Sequence, residues 1–174
     1  IWFIGGHPMA GREFSGIEHS TATLFSGASM ILVNVNADIF TLDAVKKFYL
    51  SVGFSNVEIC SAETHDKMIA FTSQLCHIVS NAYIKNDAAE THDGFSAGSY
   101  RDMTRVARLD PLMWGNLMTE NSDYLAQELD ELIGHLNEYK DALIKKDKEK
   151  LTELLSDGNV RKLSIDTKYF KKER

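Results

Sequence analysis

The sequence predicts an α/β segment that closes a sheet, followed by an all-α region. Three observations carry this reading. Strand and helix patterns alternate as far as Cys60, strand signals stop at Ala62, and the apolar positions after Ser122 follow a heptad. Trp2 to Gly5 reads as a buried strand running into a Gly-rich turn, and Ser29 to Val35 and Asn56 to Cys60 read as two further strands. Between those two lies a helix from Leu42 to Val52, with Thr41 as its cap and Gly53 at its end. The all-α region begins with a helical run from Ala62 to Lys85, a Gly-containing loop from Asn86 to Gly98, and a helix from Ser99 to Leu109. Asp110-Pro111 supplies an N-cap and a first-turn proline for the next helix. A long helix from Ser122 to Lys145 and a short one from Lys148 to Leu155 precede Gly158 and a polar tail. The expected division is 1–61, 62–160 and 161–174.

On the long helix, Leu125, Leu129, Leu132, Leu136, Tyr139 and Leu143 recur at steps of 4 and 3, which is a heptad seam. Such a stripe either faces the chain's own core or meets a second subunit. A sheet segment followed by helices with one long seam favours the subunit interface.

Composition bounds the function. With 44% hydrophobic and 25% charged residues over 174 positions, the chain has the balance of a globular protein. A net charge of -6 argues against nucleic acid, because phosphate binding needs Lys and Arg in excess on one face. Cys60 and Cys76 are too few for a disulfide scaffold, so a reduced, cytoplasmic setting is expected. No apolar run approaches a membrane span of about 18 residues. The chain opens directly on a buried strand, and G-x-G-x-x-G is absent. The expectation is therefore that residue 1 is not the natural start and that the main nucleotide-binding segment lies upstream.

The most informative stretch runs from Gly5 to Gly16. It places His7 between a strand end and a Gly-rich turn, where open α/β sheets bind ligands. On the helical run, His65, Ile69, Ser73 and His77 are spaced by fours and fall near one face, so Ser73 and His77, about 6 Å apart along the axis, can touch one small ligand. His65 is about 18 Å from His77 along that axis and belongs either nearer a cofactor or domain junction or simply to the polar start of the helix. Arg101, Arg105 and Arg108 share a stripe that is either a solvated basic face or a carboxylate clamp. Clustered Cys and His are absent, so metal is not expected.

Gly5-Gly6-His7-Pro8-Met9-Ala10-Gly11, continuing to Glu13 and Gly16, resembles the prephenate dehydrogenase motif G-G-H-P-M-A-G-x-E-x-x-G. Glu63-Thr64-His65-Asp66, Thr72 to His77, Arg101 to Ala107 and Asp110 to Trp114 match the same family in order and spacing, so the likeness covers almost the whole chain. Gln74, Cys76 and Leu109 depart from it, standing where His, Pro and a small polar residue are common. The resemblance implies the closing strands of a Rossmann-type nucleotide-binding domain, then a helical dimerisation domain of the 6-phosphogluconate dehydrogenase C-terminal-like type. It implies oxidative decarboxylation of prephenate with NAD or NADP in a homodimer. His7 would be the catalytic base, with Ser73, His77, Gly98, Arg105, Met113 and Trp114 on the substrate. Gly6, Pro8, Glu13 and His65 would lie at the cofactor or the domain junction. An arogenate or dual-specificity dehydrogenase is the near alternative, and a non-catalytic helical dimerisation or regulatory module the distant one. The seam and the glycines of the Gly94 to Gly98 loop lead us to expect a site completed across the subunit interface.

Overall fold

A computed structural model describes residues 1–11 and 16–169. By compactness the chain divides into a unit Ile1–Leu125 and a second unit from Ala126 onward. The first unit opens with three strands, β1 (Ile4–Pro8), β2 (Ser29–Asn34) and β3 (Asn56–Cys60), in the order β1-β2-β3. β2 and β3 are parallel and are joined through helix α1 (Ile39–Ser51), the crossover that parallel pairing requires. β1 runs antiparallel to β2, with His7 opposite Ile31.

Alternation along the strands sorts the side chains. Met30 and Leu32 of β2 and Val57 of β3 form a core with Leu42 of α1 and Phe54, and Ile4, Val45 and Tyr49 pack against it. Each such apolar side chain stabilises the unit by roughly 1.5–3 kcal/mol. Gly6 has the same parity as Ile4, and a Cβ there would lie 2.6 Å from the Met30 methyl, so a larger residue would require the end of the Met30 side chain to shift. His7, of opposite parity, is directed to the other face.

Three local readings change. β1 starts at Ile4 and carries His7 and Pro8 within it, because both pair with β2; Pro8 is tolerated at the last position of an outer strand, where its missing N–H breaks no ladder bond. α1 starts earlier than expected, and its cap is Asp38. That carboxylate accepts from the N–H groups of Phe40 and Thr41, and the Thr41 hydroxyl donates to it. These bonds lower the Asp38 pKa, the Thr41 N–H contributing most. Gly53, with φ 108, ends the helix as expected.

The helical run after β3 is continuous but not uniform. α2 (Ala62–Ile69) passes through a π turn, Ala70–Leu75, into α3 (Cys76–Tyr83). A π turn accommodates an extra residue, so His65, Ser73 and His77 do not keep the common α-helical phase expected of them. Ser61 caps α2 by accepting from the Thr64 N–H. α4 (Gly98–Thr104) and α5 (Pro111–Glu120) follow, the latter capped by Asp110.

α6 (Ser122–Ile144) leads into α7 (Lys148–Tyr169), with Lys146 at φ 53 in the turn between them. α7 is much longer than the expected short helix because Gly158 does not stop it. A glycine within a helix costs about 1 kcal/mol relative to alanine, and the ion pairs Arg161–Asp157 and Lys162–Asp166 bridge successive turns around it.

Candidate active site

His7 and His65, far apart in sequence, meet in the fold. β1 directs His7 away from the core, and the capped first turn of α2 presents His65 to it, with His7 Nδ1 and His65 Nε2 2.8 Å apart. Their ring centroids are 5.1 Å apart and the planes are inclined at 58°. The other nitrogen of His65 lies 2.7 Å from Asp66 Oδ1. Burial holds the His7 pKa below its usual value, with repulsion from His65 as the second cause. A histidine that is neutral at neutral pH suits a general base. Pairing of His7 with His65 was not visible in the sequence.

α2 is held in place by a second network. The Asn121 amide donates to the Asp66 main-chain carbonyl at 2.9 Å and to Gln74 Oε1 at 2.8 Å, while Gln74 Nε2 donates to the Leu117 carbonyl at 3.2 Å. Gln74 is buried, and its departure from the family pattern is accommodated by these bonds. Cys76 retains an N–H and donates it to the Ser73 carbonyl.

A second cluster surrounds His77. Its ring packs on Trp114 of α5 with centroids 4.1 Å apart, and its Nδ1 lies 3.2 Å from the Val106 carbonyl. Ser80 donates to the Met103 carbonyl at 2.8 Å and Asn81 to the Ala107 carbonyl at 3.0 Å. These three α3 side chains bind main-chain carbonyls in the last turn of α4 and just beyond it. The expected helix to Leu109 therefore stops at Thr104: Arg101 lies in α4, Arg105 at its C-cap and Arg108 beyond it, so the three do not form one helical stripe. Ser80 and Asn81 were missed in the sequence, where their only signal is polarity at three and four residues after His77.

Ser73 lies in the π turn, half-buried, and Gly98 is the first residue of α4. Met113 is exposed on α5, beside the half-buried Trp114. Pro8 ends β1, and Glu13 lies outside the described residues. Among the described residues, no group of three or more His, Cys, Asp or Glu is placed to hold a metal ion, and no helix is long and apolar enough to cross a membrane.

Residues 1–57 match the family model described as prephenate dehydrogenase, nucleotide-binding domain, and residues 61–157 match prephenate dehydrogenase, dimerization domain. The chain belongs to the prephenate dehydrogenase family. A cyclohexadienyl dehydrogenase of Zymomonas mobilis is 29% identical over 172 residues, a match covering 94% of this chain and 58% of that protein. Among solved structures, Synechocystis arogenate dehydrogenase superposes with a TM-score of 0.77 at 25% identity, covering 94% of this chain and 61% of that one. Prephenate dehydrogenase from A. aeolicus, in complex with hydroxyphenyl propionate and NAD+, gives 0.75 at 31% identity, with 94% and 59% covered. The chain thus spans about three fifths of the length of these family members.

Proposed function

We propose that this chain forms the substrate side of a cytoplasmic, homodimeric dehydrogenase that converts prephenate to 4-hydroxyphenylpyruvate with NAD or NADP. The observation that carries the reading is His7: a half-buried imidazole with a depressed pKa, standing on the outer strand of the sheet and backed by His65. In this reading His7 accepts the proton of the ring hydroxyl as the C–H electron pair leaves, and carbon dioxide is lost as the ring becomes aromatic. The nicotinamide, when bound, supplies the hydride acceptor. Gly6 and Pro8 would adjoin it along β1, Glu13 would join them at the cofactor or domain junction, and His65 would stand at that junction. Arg105 would clamp a substrate carboxylate, with Ser73, His77 and Gly98 around the side chain and Met113 and Trp114 as an apolar wall. The relatives described as prephenate and cyclohexadienyl dehydrogenases support this assignment.

His77 favours a second reading, an arogenate or dual-specificity enzyme. A carbonyl only accepts hydrogen bonds, so contact with Val106 places the hydrogen on Nδ1 and leaves Nε2 of the neutral ring as an acceptor. An acceptor there suits the ammonium group of arogenate, whereas the keto oxygen of prephenate needs a donor. Steady-state kinetics of the full-length enzyme with each substrate and each nicotinamide nucleotide test both readings. Reduction of the nucleotide with carbon dioxide release from prephenate and not from arogenate is the expected result; turnover of arogenate, alone or alongside prephenate, would transfer the assignment to the second reading, and turnover of neither would overturn both.

Homodimerisation is supported by apolar side chains left in solvent. Leu136 and Leu143 of the seam are 56% and 61% exposed, and Phe95 in the Gly94 to Gly98 loop is 92% exposed. A second copy covering these positions would account for both.

A further inference from the structure

We infer that His65 and Asp66 are positioning residues that fix the tautomer of His7, leaving its Nε2 as the basic nitrogen. The inference rests on the assignment of His7 as the base and goes beyond it by naming the atom and the groups that select it. An ionised carboxylate only accepts, so Asp66 Oδ1, 2.7 Å away, places a hydrogen on His65 Nδ1. The Nε2 of a neutral His65 then carries a lone pair and accepts from His7 Nδ1 across 2.8 Å. With its hydrogen on Nδ1, a neutral His7 presents the lone pair of Nε2, the nitrogen outside this chain of bonds.

The scaffold suits such a role. Ser61 accepts from the Thr64 N–H at 3.1 Å ahead of the pair, and Asn121 binds the Asp66 carbonyl behind it, so both sides of the dipeptide are tied. The Asp66 side chain is 52% exposed against 20% for His65. Water thus reaches the far end of the chain more readily than its middle, and the effect of the carboxylate will be smaller than that of a buried one. A base oriented by a neighbour that is itself oriented by a third group is a recurrent catalytic arrangement, here with imidazole in the middle position.

The test is imidazole ¹⁵N NMR of the full-length enzyme labelled at histidine, without substrate and above the pH at which His7 titrates, together with steady-state kinetics. The expected spectrum shows His7 protonated on Nδ1 and bare on Nε2. Asp66→Asn can offer an N–H to His65 Nδ1, reversing the hydrogens along the chain, and should move the His7 proton to Nε2 and lower kcat about 10- to 100-fold with KM little changed. His65→Gln, whose side-chain oxygen can accept from His7 Nδ1, should keep the tautomer and most of the rate, whereas His65→Leu should keep neither. A His7 protonated on Nε2 in the parent enzyme would overturn the inference, as would Asp66→Asn and His65→Leu variants with unchanged tautomer and kcat. The spectrum is recorded without substrate, so an enzyme with the expected tautomer that turns over neither prephenate nor arogenate would support the positioning role while overturning the proposed reaction.

Discussion

His7 Nδ1 and His65 Nε2 lie 2.8 Å apart, too close for both rings to be charged without strong repulsion. Burial and this repulsion both lower the His7 pKa from the usual imidazole value of 6.5. A base works in its neutral form, so activity is lost as pH falls through the depressed value and is retained above it. The profile of kcat/KM for prephenate should therefore be flat near neutral pH, with an acid limb for His7 centred below 6.5. An acid limb centred above that value and abolished by His7→Asn would contradict the assignment.

The proposed roles of His7 and Arg105 differ in when they act. A base matters chiefly in the transition state, so His7→Asn in the full-length enzyme should lower kcat on the order of 10²- to 10⁴-fold and leave KM nearly unchanged. A carboxylate clamp already acts on bound substrate. Arg105→Ala should raise KM, with about 2 to 5 kcal/mol of binding lost, and Arg105→Lys should recover only part because an ammonium lacks the two-pronged geometry. Initial-rate measurements across substrate concentration separate the two patterns, and an unchanged KM for Arg105→Ala would end its role as a clamp.

Light scattering at micromolar concentration should give twice the chain mass. Replacing Leu136 and Leu143 together with Glu should give the monomer mass, since each variant side chain would place a charge in an apolar contact. A parent chain that stays monomeric at high concentration excludes the dimer.

Gly158 lies within α7, and a Cβ built there meets nothing within 4 Å. Gly158→Ala should stabilise the helix by about 0.5–1 kcal/mol and raise Tm by a few degrees. Lower helicity by circular dichroism would show that the helix does not run through this position.

Legibility in the sequence tracked the range of the interactions. β2, β3 and the end of α1 at Gly53 follow from patterns within a few residues, and the sequence located them. The start of α1 did not: Ile39 and Phe40 are exposed at 70% and 84%, so the apolar pattern begins a turn after the helix does. The end of α4 was misplaced because the side chains that capture its carbonyls come from α3, and no local signal in residues 105–109 records that. His7, His65 and His77 could be singled out as residue types in suggestive places. That His7 faces His65 and His77 faces Trp114 depends on a strand and three helices assembling, which spacing along the chain does not encode.

The wide turn at Ala70–Leu75 bears on which kinds of genetic change the protein can absorb. Removing one residue there would tighten the turn to ordinary helical pitch and rotate everything beyond it by roughly 100° about the axis. His65 would still meet His7, but His77, Ser80 and Asn81 would swing away from the carbonyls they hold. Substitutions in this stretch alter one side chain each; a single-codon deletion at Ala70 or Phe71 would uncouple the His7–His65 pair from the His77 cluster while leaving both sets of residues in the sequence.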